Sequence, residues 1–193
     1  MAETAALLSD EVFLDVPLRQ WAISFPFPLR YLFAAHLQAM GKVLRIVYRT
    51  IATHRYSLMD GATGAVTLIQ RFGSALKVNI HFHILFLDGV YVCRENRPPG
   101  FLRVKAPDKS TLEELVQLIR QRVGRCLERQ GLLEQGAENA WLERLAKANG
   151  FSLHAGVSCE GHQKDKRERL CRYIARPAVA VPRLSLSSTG KVL

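Results

Sequence analysis

The sequence predicts an α+β domain in which helices pack over a mostly antiparallel sheet, and three observations carry that prediction. Its 193 residues are 48% hydrophobic and 23% charged, the balance of one ordinary globular domain rather than a disordered chain. Several short strand-like runs are joined by connections brief enough to link antiparallel neighbours. Stretches with apolar residues at helical spacing are interleaved with those runs, so the helices should lie over the sheet.

The elements follow in order. Residues 1–16 read as a tail or short lead-in segment, and residues 19–25 (RQWAISF) as the first strand, closed by Pro26 and Pro28. From residue 29 to 55, Leu32, Phe33, His36, Leu37, Met40, Val43, Leu44, Val47 and Ile51 recur at helical spacing and predict one long core-facing helix. Asp60-Gly61 and Gly64 supply turn chemistry before strands over residues 65–71 and 78–87, which the short stretch 72–77 should join as a hairpin. Asp88-Gly89 is a further turn, with short β segments at 90–94 and 101–105 around Pro98-Pro99-Gly100. Ser110 and Glu113 form a capping box for a helix over 111–130 whose Leu112, Leu115, Ile119, Val123 and Leu127 make one apolar face. A shorter helix over 138–148, an edge strand over 153–157 and a very basic helix over 162–175, ending before Pro177, complete the reading. The chain thus divides into a tail (1–16), one domain (17–178) and an irregular segment (179–193).

Lys and Arg total 27 against 17 for Asp and Glu, a net charge of +10 that suits a polyanion, with nucleic acid foremost. A chain of this length buries roughly 70% of the surface its unfolded form exposes. It needs no disulfide or structural metal, and any metal should be functional. Cys93, Cys126, Cys159 and Cys171 stand far apart with no zinc-finger spacing, and Asp10, Glu11 and Asp15 are foreign to a secretory leader. No apolar run approaches the roughly 20 residues of a membrane span, so a reducing cytoplasm is expected and a membrane partner is not.

The sharpest local feature is residues 79–86 (NIHFHILF), where His81 and His83 alternate with Ile80, Phe82 and Ile84. On a strand the two imidazoles share a face and can reach one divalent ion, while the apolar residues pack into the opposite layer. A third ligand is needed. Gln70, across the expected hairpin, is the candidate, with Asp88 and His36 weaker; an ordinary pair of hydrogen-bonded histidines is the structural alternative. The second feature is residues 164–176 (KDKRERLCRYIAR), a basic helix that places Tyr173 on a face with Arg169, Arg172 and Arg176. A phenol, with its reference pKa near 10, attacks a phosphodiester only where cations and a metal assist it. A tyrosine packed beneath a solvated basic face is the alternative.

Residues 19–30 (RQWAISFPFPLR), 65–73 (AVTLIQRFG), 81–91 (HFHILFLDGVY) and 170–177 (LCRYIARP) closely resemble the rolling-circle transposases of bacterial insertion sequences and common-region elements, which are HUH endonucleases. The resemblance implies an HUH-like fold, a divalent metal (Mn or Mg) on His81 and His83, and Tyr173 attacking single-stranded DNA to leave a 5′-phosphotyrosine and a free 3′ hydroxyl. Arg169 occupies the place of a second tyrosine, which implies the single-tyrosine branch. Gln70 as third ligand is an inference from the hairpin. Arg71, Lys164, Lys166, Arg167, Arg169, Arg172 and Arg176 are the expected DNA contacts, with Trp21 or Phe72 stacking on bases. Expected partners are single-stranded element ends and host replication proteins, in the bacterial cytoplasm beside the nucleoid. Set against the resemblance, this chain stops early, so a truncated remnant that only binds single-stranded DNA is the alternative, and a metal hydrolase of another family the third. His154 and His162 flank the approach to the last helix and are left without a role.

Overall fold

A computed structural model describes residues 2–13, 15–57, 59–73, 77–95, 97–133 and 150–175. The chain enters through helix α1 (Ala2–Leu7) and a π-helical turn (Leu8–Val12), followed by β1 (Leu18–Ser24), α2 (Phe27–Ala35), α3 (Leu37–Tyr56), β2 (Ala65–Phe72) and β3 (Val78–Leu87). It continues through β4 (Gly89–Arg94), β5 (Arg97–Arg103), α4 (Lys109–Arg129), β6 (Ser152–Cys159) and α5 (Lys164–Ile174). The expected α+β architecture is present. Four strands form one sheet in the order β2-β3-β1-β6, every pair antiparallel, and β4 and β5 form a separate ribbon. Residues 153–157 lie on an edge strand, as expected. The expected helix over 138–148 and everything after residue 175 lie outside the described residues.

Alternation sends the two faces of the sheet into different layers. Trp21, Ile23, Ile80, Phe82, Ile84 and Phe86 point toward α2, α3 and α4 and form the main core with Phe33, Val43, Val47, Ile51, Leu115, Ile119 and Val123. Phe25 anchors it, meeting Phe33, Phe82 and Phe151 edge-on at ring-centroid distances of 5.1, 4.9 and 5.6 Å. The other face is covered by α1, the π-helical turn and α5 through a smaller cluster that includes Leu8, Phe13, Leu18, Leu85, Leu170, Cys171 and Ile174. Among the described residues no helix is long and apolar enough to cross a membrane.

Four expectations are corrected. The single helix over 29–55 is two, because His36 leaves helical geometry (φ −122°, ψ 80°). The break lets Leu29 and Phe33 of α2 and Met40, Val43 and Val47 of α3 all reach the core, while Leu37 is left exposed. Within the tail, residues 2–12 are helical and packed, since Ala5 and Leu8, with Phe13 after them, gain a buried partner in α5. The cap of α4 is Asp108, whose side chain accepts from the Thr111 amide at 2.8 Å, two positions earlier than the Ser110 box supplies. Strand β5 begins at Arg97 and contains Pro98 and Pro99, which an edge strand tolerates. At the β3–β4 turn a Cβ on Gly89 would stand 2.2 Å from the Leu102 carbonyl oxygen, so only glycine lets the ribbon close there.

Candidate functional site

Strand β3 delivers His81 and His83 to the face beneath α5, with their ring centroids 4.8 Å apart. Register decides their neighbours. Gln70 of β2 lies directly opposite His81 and Leu68 opposite His83; from β1, Ser24 faces His81, Ala22 faces His83 and Gln20 faces Leu85. Strand β6 adds His154, opposite Ala22, beside a bulge that puts one extra residue on β6 between the partners of Gln20 and Ala22.

The two imidazoles are held differently. His81 is half-buried, and its Nδ1 lies 2.8 Å from the Asn79 carbonyl oxygen. A carbonyl only accepts, so Nδ1 carries the proton and Nε2 is left as the lone-pair nitrogen. His83 is buried, and its Nδ1 lies 2.9 Å from Gln20 Nε2. Burial, and secondarily the charge of His81, lowers the His83 pKa to about 4, so this ring is neutral at pH 7. A half-turn of the Gln20 amide, which keeps its shape, exchanges donor for acceptor and would hold Nδ1–H with Nε2 exposed. With the Gln20 amide so turned, two imidazoles fixed through Nδ1 with Nε2 available would match the donor set a divalent ion takes. Among the described residues no group of three or more His, Cys, Asp and Glu side chains forms a metal cluster. Register sets the Gln70 amide and the Ser24 hydroxyl beside His81, and the Gln20 amide reaches His83 through its hydrogen bond.

Tyr173 stands over His83, ring centroids 5.8 Å apart and nearly perpendicular. It is half-exposed (52%). A cleft of about 440 Å³ opens here, lined by Gln20, His83, His154, Lys166, Arg169 and Tyr173 among others.

The expected DNA contacts divide. Lys166 and Arg169 line the cleft with the tyrosine. Arg71 is exposed next to Gln70 at the end of β2. Lys164 lies 4.0 Å from Asp10, and Arg172 is paired with Glu168 one turn earlier. Arg167 is a correction: it is 3% exposed, donates to the Gly161 carbonyl at 2.9 Å and approaches Asp15 at 3.4 Å, so it braces the fold. Trp21 is likewise buried in the main core and cannot meet a base, whereas Phe72 is 40% exposed. Arg176 lies outside the described residues.

Gln70 is brought beside His81 by register, its Nε2 donating to the Phe72 carbonyl at 3.2 Å. Asp88 is five residues past His83, about 17 Å along the strand, and is held by Arg19; His36 lies at the α2–α3 junction in the opposite layer. Neither joins the pair. Sequence reasoning missed Gln20, although its signal was present: within RQWAISF, Gln20, Ala22 and Ser24 alternate with the buried Trp21, Ile23 and Phe25.

A family model described as Putative transposase matches residues 64–193, about two thirds of the chain, and so takes in Gln70, His81, His83, His154 and Tyr173. No curated protein matches, and no solved structure does.

Proposed function

This chain belongs to the Putative transposase family, and from that membership we propose that it nicks single-stranded DNA at the ends of a mobile element by tyrosine attack, as an HUH-type nuclease of rolling-circle transposition. The observation that carries the proposal is the convergence on one sheet face of the His81–His83 pair, a half-exposed tyrosine 5.8 Å from His83 and two cations in the same cleft.

Tyr173 Oη attacks the scissile phosphorus and the P–O3′ bond breaks. The 5′ side becomes a phosphotyrosine, and the 3′ oxygen leaves as a hydroxyl carrying the proton that the phenol gave up. Lys166 and Arg169 hold neighbouring phosphates and favour the phenolate form of the nucleophile. Nε2 of His81 and His83, with the amide oxygen of Gln70, would hold Mn or Mg. The bound ion would offset charge growing on the phosphate. Because the phosphotyrosine conserves the energy of the cleaved bond, attack by a second 3′ hydroxyl rejoins strands without ATP. Exposed Phe72 beside Arg71 offers a stacking surface for a base leaving the cleft. Host replication proteins would refill the displaced strand, which places the work in the bacterial cytoplasm beside the nucleoid.

The test is incubation of the purified chain with labelled single-stranded DNA and manganese, resolved on a denaturing gel, beside His81→Ala and Tyr173→Phe. A protein–DNA adduct in the parent that both variants lose is the expected result. Salt-sensitive binding without an adduct would leave a protein that only holds single strands. Cleavage that survives Tyr173→Phe would point to a metal hydrolase.

A further inference from the structure

Far from the histidines, α3 and α4 run antiparallel over the opposite face of the sheet, linked by Arg122 Nη1 donating to Thr50 Oγ1 at 3.0 Å and by His54 with Glu114 at 3.4 Å. Between them lies a groove of about 580 Å³ lined by Ile46, Arg49, Arg122, Arg125, Glu128 and Arg129. Four guanidinium groups against one carboxylate make it strongly positive. The patch extends along α3, which holds no acidic residue from Leu37 to Tyr56 and exposes Lys42 and Arg45 on the face of Arg49. At least one helix diameter, about 10 Å, and the sheet separate it from the cleft under α5.

A solvated basic face would satisfy solubility alone, but two features go beyond it. The cations of the groove are all arginine, whose planar fork matches phosphate oxygens, and they converge from two helices. Arg122 is also pre-positioned, because the buried Thr50 hydroxyl that accepts from it donates in turn to the Ile46 carbonyl at 2.7 Å. The groove has no aromatic side chain, and its apolar lining is Ile46 and the arginine stems. Unpaired bases would find no aromatic ring to stack on, unlike in the cleft that holds Tyr173. We propose that the α3–α4 arginine groove is a second nucleic-acid site that grips the phosphate backbone of duplex DNA while the cleft under α5 works on a single strand. The inference rests on the reading of this chain as a DNA-acting protein, and it divides the two forms of DNA between the two faces of one sheet.

The experiment measures the affinity of the full chain for a blunt duplex and for a single-stranded oligonucleotide by fluorescence anisotropy across a salt series. The parent is compared with Arg49→Gln/Arg125→Gln/Arg129→Gln and with the corresponding triple lysine variant; Arg122 is kept because it braces Thr50. Thermal melting confirms that each variant folds. The glutamine variant should lose duplex affinity by at least about tenfold, and its log–log salt slope should shrink by about 2 to 3. Single-strand affinity should hold within about twofold, and the lysine variant should recover most duplex binding. An unchanged duplex affinity, equal losses on both substrates, or a parent that binds single strands but no duplex would each overturn the assignment. Because the assay reads binding alone, a missing tyrosine adduct in the nicking experiment would count against the nuclease reading and leave this result standing.

Discussion

Replacing Asp88 by alanine should cost the fold more than any other single loss of a charge. Asp88 sits at the end of β3 and is 2% exposed. Its carboxylate accepts from Arg19 Nε at 2.8 Å and Nη2 at 2.7 Å, and Arg19, 6% exposed, gives Nη1 to the Ala155 carbonyl at 2.9 Å. One bidentate pair therefore ties β1 to the end of β3 and to β6, the strands that carry Gln20, His83 and His154. Without the carboxylate a buried guanidinium is left uncompensated, a loss of about 3–5 kcal/mol. Arg103 Nη2, 3.8 Å from Asp88 Oδ2, then faces Arg19 with no anion between them, which pushes the loss toward the upper end. With a urea m-value of about 2 kcal/mol per molar, the unfolding midpoint should fall by about 1.5–2.5 M. Arg103→Gln is the matched control. It breaks the two-pronged contact with Glu160, 2.6 Å on each side but exposed, and should cost under about 1 kcal/mol. Urea melts of both variants decide. If Asp88→Ala moves the midpoint no further than Arg103→Gln does, the clasp does not hold the strands and the reasoning fails.

Gln20→Ala should weaken manganese binding about 10- to 100-fold by freeing the His83 ring, and Gln20→Glu, which can still accept from Nδ1–H, should retain it; a titration followed by electron paramagnetic resonance measures this directly, and alanine affinity within twofold of the parent would remove Gln20 from the site. Arg167→Ala should lower stability by about 1.5–3 kcal/mol while leaving the single-strand affinity of the folded protein unchanged, whereas Lys166→Ala should do the reverse; paired melts and anisotropy separate the two, and a DNA defect in Arg167→Ala at intact stability would restore it as a contact.

How far the sequence was readable depends on whether a residue's fate is settled within its own element. Period-two alternation over residues 78–87 is a local property, and it placed His81 and His83 on one face and Ile80, Phe82 and Ile84 in the core before any tertiary contact was known. The apolar period of α4 was legible for the same reason. The break at His36 was not, because no glycine or proline marks it and the apolar spacing runs on without interruption; only the sheet beneath makes two differently directed helices bury more than one. The helicity of the first residues was hidden in the same way, since Leu8 and Phe13 are buried by α5, more than 150 residues later in the chain. Arg167 is the instructive miss. It stands at i, i+3, i+4 and i+7 with Leu170, Cys171 and Ile174, the buried stripe of α5, but its charge was read ahead of its position.

That stripe also explains why Tyr173, the proposed nucleophile, and the two cations beside it come as a unit. At 100° per residue, Lys166, Arg169 and Tyr173 fall within about 60° of arc, next to the buried stripe and facing the cleft. Once Arg167, Leu170, Cys171 and Ile174 are seated against Leu18 and Leu85, the rotation of α5 about its axis is fixed. The direction of Tyr173 is then fixed with it. The proposed site therefore needs no loop to place Tyr173: one rigid strand presents the imidazoles, one rigid helix presents the phenol and two cations, and the packing that holds the helix to the sheet sets the 5.8 Å between the His83 and Tyr173 rings. On the proposed function such an arrangement would leave the substrate as the flexible component, and a single DNA strand, free to unstack and bend, is the form of nucleic acid that would follow a cleft built this way.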